Sequence, residues 1–345
     1  MTKSFKEKIV EYSIWGFAFG YFACYVPYSF MTKVMSNGLL PVLNGKGIAG
    51  FSILPVTALA TTVAMVIVIS SLGWWKYATH SKIFGINVPH PTKWTFLSGL
   101  CTALIIGTTT LAYTFEGLSI VLAMVLMRGG VLLLGPIVDK ITNRKVRWFS
   151  YAGMILALFA LLTNLFDTSS YKMPIMAILV IGTYIASYFI RFQFMSNLAK
   201  SEDNDANKKY FVEEQMTATP MFVVFLILLA VFNTGEITES VRMGFTNHWG
   251  QPYLWALILI GVFSQGTGVF GTLVFLDKNE NTYCIPVNRS SSIVAGLIAT
   301  YLLAFFPSMN PPAISELIGA AFIIGAILFL TIPPALAKRR KMQIK

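Results

Sequence analysis

The stretch YFACYVPY, Tyr21 to Tyr28, returns as YIASYFIR, Tyr184 to Arg191, with three identical positions and an Arg where the first copy has its last Tyr. Three further matches follow in the same order and at nearly the same separation, 161 to 166 residues: Pro55 with Pro220, Arg128 with Arg289, and Gly153 with Gly319. This spacing predicts an internal duplication. Residues 1–170 form the first unit and residues 171–345 the second, within one integrated membrane domain.

The composition requires a lipid environment. Of the 345 residues, 55% are hydrophobic and only 12% are charged, and the mean hydropathy is +0.67. A soluble domain of this length cannot bury so much apolar surface. Runs of about 20 apolar residues predict an all-α polytopic membrane protein with ten transmembrane helices at 9–32, 50–74, 94–114, 118–138, 148–166, 173–198, 211–234, 253–276, 283–306 and 313–336.

Each unit then contains five helices, so the second copy enters the membrane from the side opposite to the first. Two inverted repeats of this kind build a site at their interface that opens alternately to either face. The duplication therefore favours a carrier over an enzyme or a receptor.

The positive charges predict the orientation of the chain. Nineteen Lys and Arg residues lie in the two termini and in alternate connections, against four in the remaining connections. The positive-inside rule places both termini in the cytoplasm, in a bacterial inner membrane or a eukaryotic endomembrane. The net charge of +11 thus indicates orientation and contact with anionic lipids, as at Lys338–Lys341, and no nucleic-acid partner.

Three arginines lie inside apolar helices, where a charge is costly and indicates function. Arg128 lies ten residues from either end of its predicted helix, too deep for its side chain to reach the headgroups. Arg191 and Arg289 lie nearer the cytoplasmic ends, so extension to the lipid headgroups is an alternative for those two. A guanidinium in a low-dielectric cavity suits a carboxylate or, better, a phosphate.

Polar side chains near these arginines repeat at helical spacing, which places them on single helix faces. Packing between helices is the alternative for the small residues among them. The predicted substrate-binding residues are Arg128, Arg191, Arg289, Tyr21, Tyr25, Tyr28, Tyr184, Tyr188, Ser292 and Asn288.

Two carboxylates, Glu213 and Glu214, are the nearest to a mid-span position. One of these acids is expected to pair with an arginine or to carry a proton that is coupled to transport. The alternative is that both acids stay at the wet edge of the membrane. No other chemistry is indicated. The three His and three Cys residues have no metal-ligand or disulfide spacing, and the chain has no phosphate-binding loop or nucleophile motif. We therefore expect neither a cofactor nor a metal, and no enzymatic activity.

The five-plus-five plan, the cytoplasmic termini and the stretch GTTTLAYTFEGLSIVLAMVLMRGGVLLLGPIVD, Gly107 to Asp139, resemble the drug/metabolite transporter superfamily, with its EamA-like and nucleotide-sugar-transporter-like members. The resemblance implies alternating access and a cavity lined by predicted helices 1, 3, 4, 6, 8 and 9. Because its members carry different solutes, the fold does not decide the substrate.

These features predict an alternating-access transporter of a small organic anion that bears a phosphate: a nucleotide sugar, a phosphorylated metabolite or a lipid-linked phosphate. Membrane lipids and the anionic solute are the expected partners. Two alternatives remain open, a lipid flippase or scramblase and an integral-membrane transferase acting on a lipid phosphate.

Overall fold

A computed structural model describes residues 14–83, 85–112, 120–163, 175–200, 204–232, 234–307, 309, 311–312 and 314–343. These residues are almost entirely helical. The helices, in chain order, are α1 (Ile14–Ser36), α2 (Gly50–Leu72), α3 (Lys93–Ala112), α4 (Ile120–Ile141), α5 (Trp148–Leu162), α6 (Ile175–Leu198), α7 (Asn204–Phe232), α8 (Glu236–Thr246), α9 (Leu254–Leu276), α10 (Asn281–Leu303) and α11 (Ile314–Gln343).

Five of these helices contain segments long and apolar enough to cross a membrane: Gly50–Leu72, Ala177–Leu198, Asp205–Phe232, Leu254–Leu276 and Leu317–Pro334. Large apolar side chains also cover the outside of the molecule, where Ile175 and Val231 are 78% and 73% exposed. Such surface is compatible with lipid and not with water. The chain is therefore an all-helical membrane protein. Helices also occupy the other five predicted positions, as α1, α3, α4, α5 and α10.

The largest difference from the predicted boundaries is at α7, which begins at Asn204 and not at residue 211. The predicted span began at Phe211, after the polar run. The structure extends the helix through the polar residues 204–210, where Nζ of Lys208 lies 3.1 Å from Oδ1 of Asp205 and 3.2 Å from the hydroxyl of Tyr77. The short connection predicted between the third and fourth helices, residues 115–117, lies outside the described residues.

Two elements in the connections were not predicted. A β-hairpin joins α2 to α3; its strands β1 (Thr79–Ile83) and β2 (Ile86–His90) pair antiparallel from Thr79 opposite His90 to Ile83 opposite Ile86. Gly85 has a φ of 79°, which a tight hairpin turn requires. The second element is α8, which packs on α2 through Val241 and Gly244.

The helices pack against one another in couples. Helix α1 packs on α9 and α10, and α6 packs on α3 and α4. In addition, α9 packs on α2, and α7 packs on α3. Three further contacts join a helix to its predicted counterpart in the other half, namely α2 to α7, α4 to α10 and α5 to α11.

Glycines allow the close approach of α5 and α11. On Gly153 of α5 an added Cβ would lie 2.6 Å from Cγ of Leu330 on α11, and on Gly319 of α11 it would lie 3.0 Å from the carbonyl oxygen of Ala160 on α5. Any larger residue at either position would separate the two helices or require their side chains to rearrange.

Carboxylates fasten the beginning of α10. Asp139, near the end of α4, accepts hydrogen bonds from the backbone N–H groups of Asn281 and Thr282 at 2.8 and 2.7 Å. It thereby satisfies two donors that the first turn of a helix leaves without an internal partner. Glu280 accepts hydrogen bonds from Nε of Arg147 at 2.8 Å and from Oγ of Ser150 at 2.6 Å, which ties α10 to α5.

Candidate functional site

A cavity of about 190 Å³ lies among the helices, between the two halves of the chain. Its walls are mixed, with aromatic rings, hydroxyls, amides and two guanidinium groups. The described lining residues come from α1, α2, α3, α6, α7, α9 and α10, and are Tyr21, Thr61, Thr102, Ile105, Ile106, Tyr188, Arg191, Gln215, Ala218, Thr219, Ser264, Gln265, Thr267, Gly268, Gly271, Thr272, Phe275, Asn288 and Arg289.

Arg289 on α10 is the most unusual of these residues. Its side chain is 6% exposed, yet Nε and Nη2 have no hydrogen-bond partner among the described residues. The guanidinium lies 5.2 Å from the centre of the Tyr188 ring. The neighbouring Asn288, 2% exposed, also has a buried Nδ2 without a partner among the described residues. Since most buried donors in proteins are paired, these three nitrogens could donate to an acceptor in the cavity.

Arg191 on α6 is different, because a carboxylate neutralises it. Its Nε and Nη2 donate to Oε1 and Oε2 of Glu214 on α7 at 2.7 and 2.8 Å, in the two-pronged geometry that suits a guanidinium. Nη2 also donates to Oγ1 of Thr272 on α9 at 3.0 Å. Of the roles predicted for the two acids, pairing with an arginine is therefore present in the structure.

Glu214 is held from a third helix as well. Oγ of Ser98 on α3 donates to Oε1 of Glu214 at 2.7 Å, and Tyr210 and Thr102 add longer contacts. Glu214 itself has no exposed surface. The carboxylate thus joins α3, α6 and α7 at one buried point beside the cavity.

Glu213 faces away from this pair, toward the hairpin. One oxygen accepts from the backbone N–H and the hydroxyl of Thr79 at 2.9 and 2.7 Å, and the other from Oγ1 of Thr95 at 2.7 Å and the N–H of Thr92 at 3.1 Å. It is also fully buried. Nζ of Lys209, whose side chain is 47% exposed, lies 4.0 Å from Oε1 of Glu213.

An amide pair that the sequence analysis missed completes the wall. Nε2 of Gln265 on α9 lies 3.3 Å from Oε1 of Gln215 on α7, and Nε2 of Gln215 lies 3.4 Å from Oγ1 of Thr272. Gln215 directly follows the two acids in the sequence, and Gln265 is a single amide in an otherwise apolar helix. Polar residues inside apolar runs were the signal that could have found them.

Arg128 on α4 is not among the lining residues. Its Nη2 donates to the hydroxyl of Tyr25 on α1 at 2.8 Å. Tyr25 lies in a stack of three rings with Tyr21 and Tyr28, at centroid distances of 5.5 and 5.7 Å. One ring of that stack, Tyr21, lines the cavity.

The structure thus brings five of the predicted residues to the cavity wall: Tyr21, Tyr188, Arg191, Asn288 and Arg289. Glu214 reaches it through Arg191, and Tyr184 lies behind Tyr188 at a centroid distance of 4.9 Å. Ser292 does not line it, and its hydroxyl donates to the carbonyl of Arg289 at 2.8 Å. Residues of α2 and α7 line the cavity as well, although the resemblance implied neither helix.

A wider depression of about 430 Å³ lies at the α4–α5 connection, beside Lys140 and Arg144. It does not resemble a binding site, because Arg144 uses its guanidinium on the carbonyls of Ser196, Lys200 and Lys278 at 3.1, 2.6 and 3.3 Å. Its cation ties three connections together.

His248 and Glu280 are among the titratable groups outside the spans whose pKa values are shifted. Burial lowers the pKa of His248, which contacts Oγ and the carbonyl oxygen of Ser52 through Nε2 at 2.9 Å, and the hydroxyl of Tyr253 through Nδ1 at 3.2 Å. Burial alone would raise the pKa of Glu280, but the hydrogen bonds from Arg147 and Ser150 hold it below its usual range. Within the described part of the chain, no three His, Cys, Asp or Glu residues are grouped as a metal site requires.

No family model matches the sequence, and no curated protein matches it. Among solved structures, 26 chains are similar in fold. One of them, described only as "Crystal structure of protein", has a TM-score of 0.58 and 13% sequence identity, over 94% of this chain and 96% of its own. At that identity the likeness concerns the fold alone, and it extends over nearly the whole of both chains.

Proposed function

We propose that the chain is an alternating-access transporter of a small organic anion, with ten spanning helices in two inverted repeats of five and both termini in the cytoplasm. The observation that carries the proposal is Arg289, whose buried guanidinium lines the cavity with two nitrogens that have no partner among the described residues. An unpaired buried cation is strongly destabilising, and an anionic ligand would remove that cost.

The packing of the helices supports the inverted repeat. The proposed repeat relates α1 to α6, α2 to α7, α3 to α9, α4 to α10 and α5 to α11. Under this relation, the contact of α1 with α9 corresponds to the contact of α6 with α3. In the same way the contact of α1 with α10 corresponds to that of α6 with α4. A two-fold relation between the halves requires such exchanged couples, and two unrelated halves would have no reason to produce them.

Close approaches repeat in the same way. An added Cβ on Gly99 of α3 would lie 2.5 Å from Cβ of Thr217 on α7, and one on Gly261 of α9 would lie 2.5 Å from the carbonyl oxygen of Thr57 on α2. The matched Gly153 and Gly319 lie at the contact between α5 and α11. These positions support the residue correspondence predicted from the sequence.

The other walls suggest what accompanies the anionic group. Tyr21, Tyr188 and Phe275 offer aromatic faces, and Gln215 and Gln265 offer amides. Rings stack on such faces, and amides recognise hydroxyl or carbonyl groups. A phosphate-bearing metabolite with a ring suits this arrangement.

Uptake into proteoliposomes tests the proposal. Radiolabelled inorganic phosphate, a sugar phosphate, a nucleotide sugar and an aromatic carboxylate would each be offered to vesicles with and without the same unlabelled anion inside. We expect saturable uptake of at least one, increased by internal anion. Arg289→Ala should abolish it in protein that remains monodisperse. Arg242→Ala should not, because Arg242 lies on α8, 59% exposed and outside the cavity.

Three outcomes would contradict the proposal. One is absence of uptake for every anion. The others are movement of fluorescent lipid between leaflets without solute uptake, which indicates a flippase, and a covalent product from a lipid phosphate, which indicates a transferase.

A further inference from the structure

The charges around the cavity do not all remain available to a ligand. Two guanidinium groups line it, those of Arg191 and Arg289. Arg191 uses Nε and Nη2 on the two oxygens of Glu214, at 2.7 and 2.8 Å. Both partners are buried, at 5% and 0% side-chain exposure, so water does not weaken their attraction. The pair contributes no net charge.

Arg289 is left as the one uncompensated cation among the described lining residues. None of the ion pairs formed within the described part of the chain includes it. Asn288 adds a neutral donor at the same place, the unpartnered Nδ2. The cavity wall therefore presents one positive charge with neutral donors around it.

Arg128 does not alter this balance at the wall. It lies outside the described lining residues, and its Nη2 donates to the hydroxyl of Tyr25 at 2.8 Å.

We propose that the cavity selects a soluble ligand whose bound group carries a single negative charge, a phosphodiester or a carboxylate, over a doubly charged phosphomonoester. This inference rests on the transport proposal and narrows its substrate class. The second charge of a phosphomonoester would be buried without a cation, unless Arg191 gave up Glu214 and left that carboxylate unpaired. Either arrangement buries an uncompensated charge.

Three probes with one ring and different charge test the inference: methyl phenyl phosphate, benzoate and phenyl phosphate. At pH 8 the first two carry one negative charge and the last carries close to two. Binding to the purified full-length protein would be measured by calorimetric titration. We expect the better of the two singly charged probes to bind about tenfold tighter than phenyl phosphate, or more, since an unpaired buried charge costs at least that factor.

Glu214→Gln should shift this ratio at least about tenfold toward phenyl phosphate, because Arg191 then becomes a second available cation. The matched control is Glu280→Gln, which also removes a buried carboxylate from an arginine, but away from the cavity. It should leave the ratio unchanged.

Tighter binding of phenyl phosphate by the unaltered protein would overturn the inference and leave anion transport standing. Absence of binding by all three probes, together with absence of uptake of any anion into vesicles, would overturn both. Because the ratio in the unaltered protein is decisive, a Glu214→Gln protein that fails to fold does not remove the test.

Discussion

The guanidinium of Arg289 lies over the ring of Tyr188, 5.2 Å from its centre. The sequence correspondence relates this pair to Arg128 and Tyr25, which are also in contact, through a hydrogen bond of 2.8 Å. The same two residue types thus meet between α4 and α1 and between α10 and α6, in two different geometries. Arg128 has a tyrosine hydroxyl as acceptor, whereas Nε and Nη2 of Arg289 have no acceptor among the described residues.

The hydrogen bond between Arg128 and Tyr25 predicts a cost for removing one hydroxyl group. Tyr25→Phe should lower the free energy of unfolding by about 1.5–3 kcal/mol, the range for hydrogen bonds to charged groups. Tyr301→Phe is the control, because Tyr301 is 47% exposed on α10. Melting in detergent measures both, and equal melting temperatures would show that the hydroxyl is not used.

The ion pair of Arg191 and Glu214 predicts strong coupling between two substitutions. Arg191→Met leaves a carboxylate buried without its cation and should cost about 3–5 kcal/mol. Adding Glu214→Gln removes that charge and should recover part of the loss. The double-mutant cycle on melting free energies checks this. Additive effects would mean that the two side chains do not pair in the membrane.

Gly261 predicts a steric cost that another glycine does not share. An added Cβ there would lie 2.5 Å from the carbonyl oxygen of Thr57 and 2.6 Å from Cβ of Ala60, so Gly261→Ala should destabilise by about 1–3 kcal/mol. At Gly296 nothing lies within 4 Å, and Gly296→Ala should be neutral or stabilise the helix by up to about 1 kcal/mol. Thermal melting of both variants compares them; a stable Gly261→Ala protein would refute the close contact.

His248 predicts a pH dependence of stability. Burial lowers its pKa in the folded chain, so the unfolded chain binds a proton at a higher pH than the folded chain does. The contribution of neutral His248 to the free energy of unfolding is therefore fully present above the pKa of the unfolded chain, about 6.5. It declines as the pH falls through and below that pKa. The melting temperature should drop from pH 8 to pH 5 more steeply than in His248→Gln. Parallel curves would contradict this.

The helices could be predicted because a membrane leaves the backbone few choices. An apolar run long enough to span must satisfy its own N–H and C=O groups, so its length nearly determines the element. That reasoning failed at the start of α7, where polar residues continue the helix, and at the hairpin, whose ends depend on Glu213 from a distant helix.

The site was predictable where a single residue carries the signal. Arg289, Arg191 and Asn288 were found because polar groups in apolar helices are costly. The sequence did not predict three other features of the cavity. These are the neutralisation of Arg191 by Glu214, the position of Arg128 outside the lining and the contribution of Gln215 and Gln265. Each depends on which helix faces which, and a one-dimensional pattern does not contain that information.

The bonds from Asp139 to the first N–H groups of α10 have a mechanical consequence. They join the end of α4 to the beginning of α10, the two helices that carry Arg128 and Arg289. Helices fixed to each other at one end can separate only by pivoting there. The distance between the two guanidinium groups would then follow the pivot angle, and the attached ends would behave as a single joint.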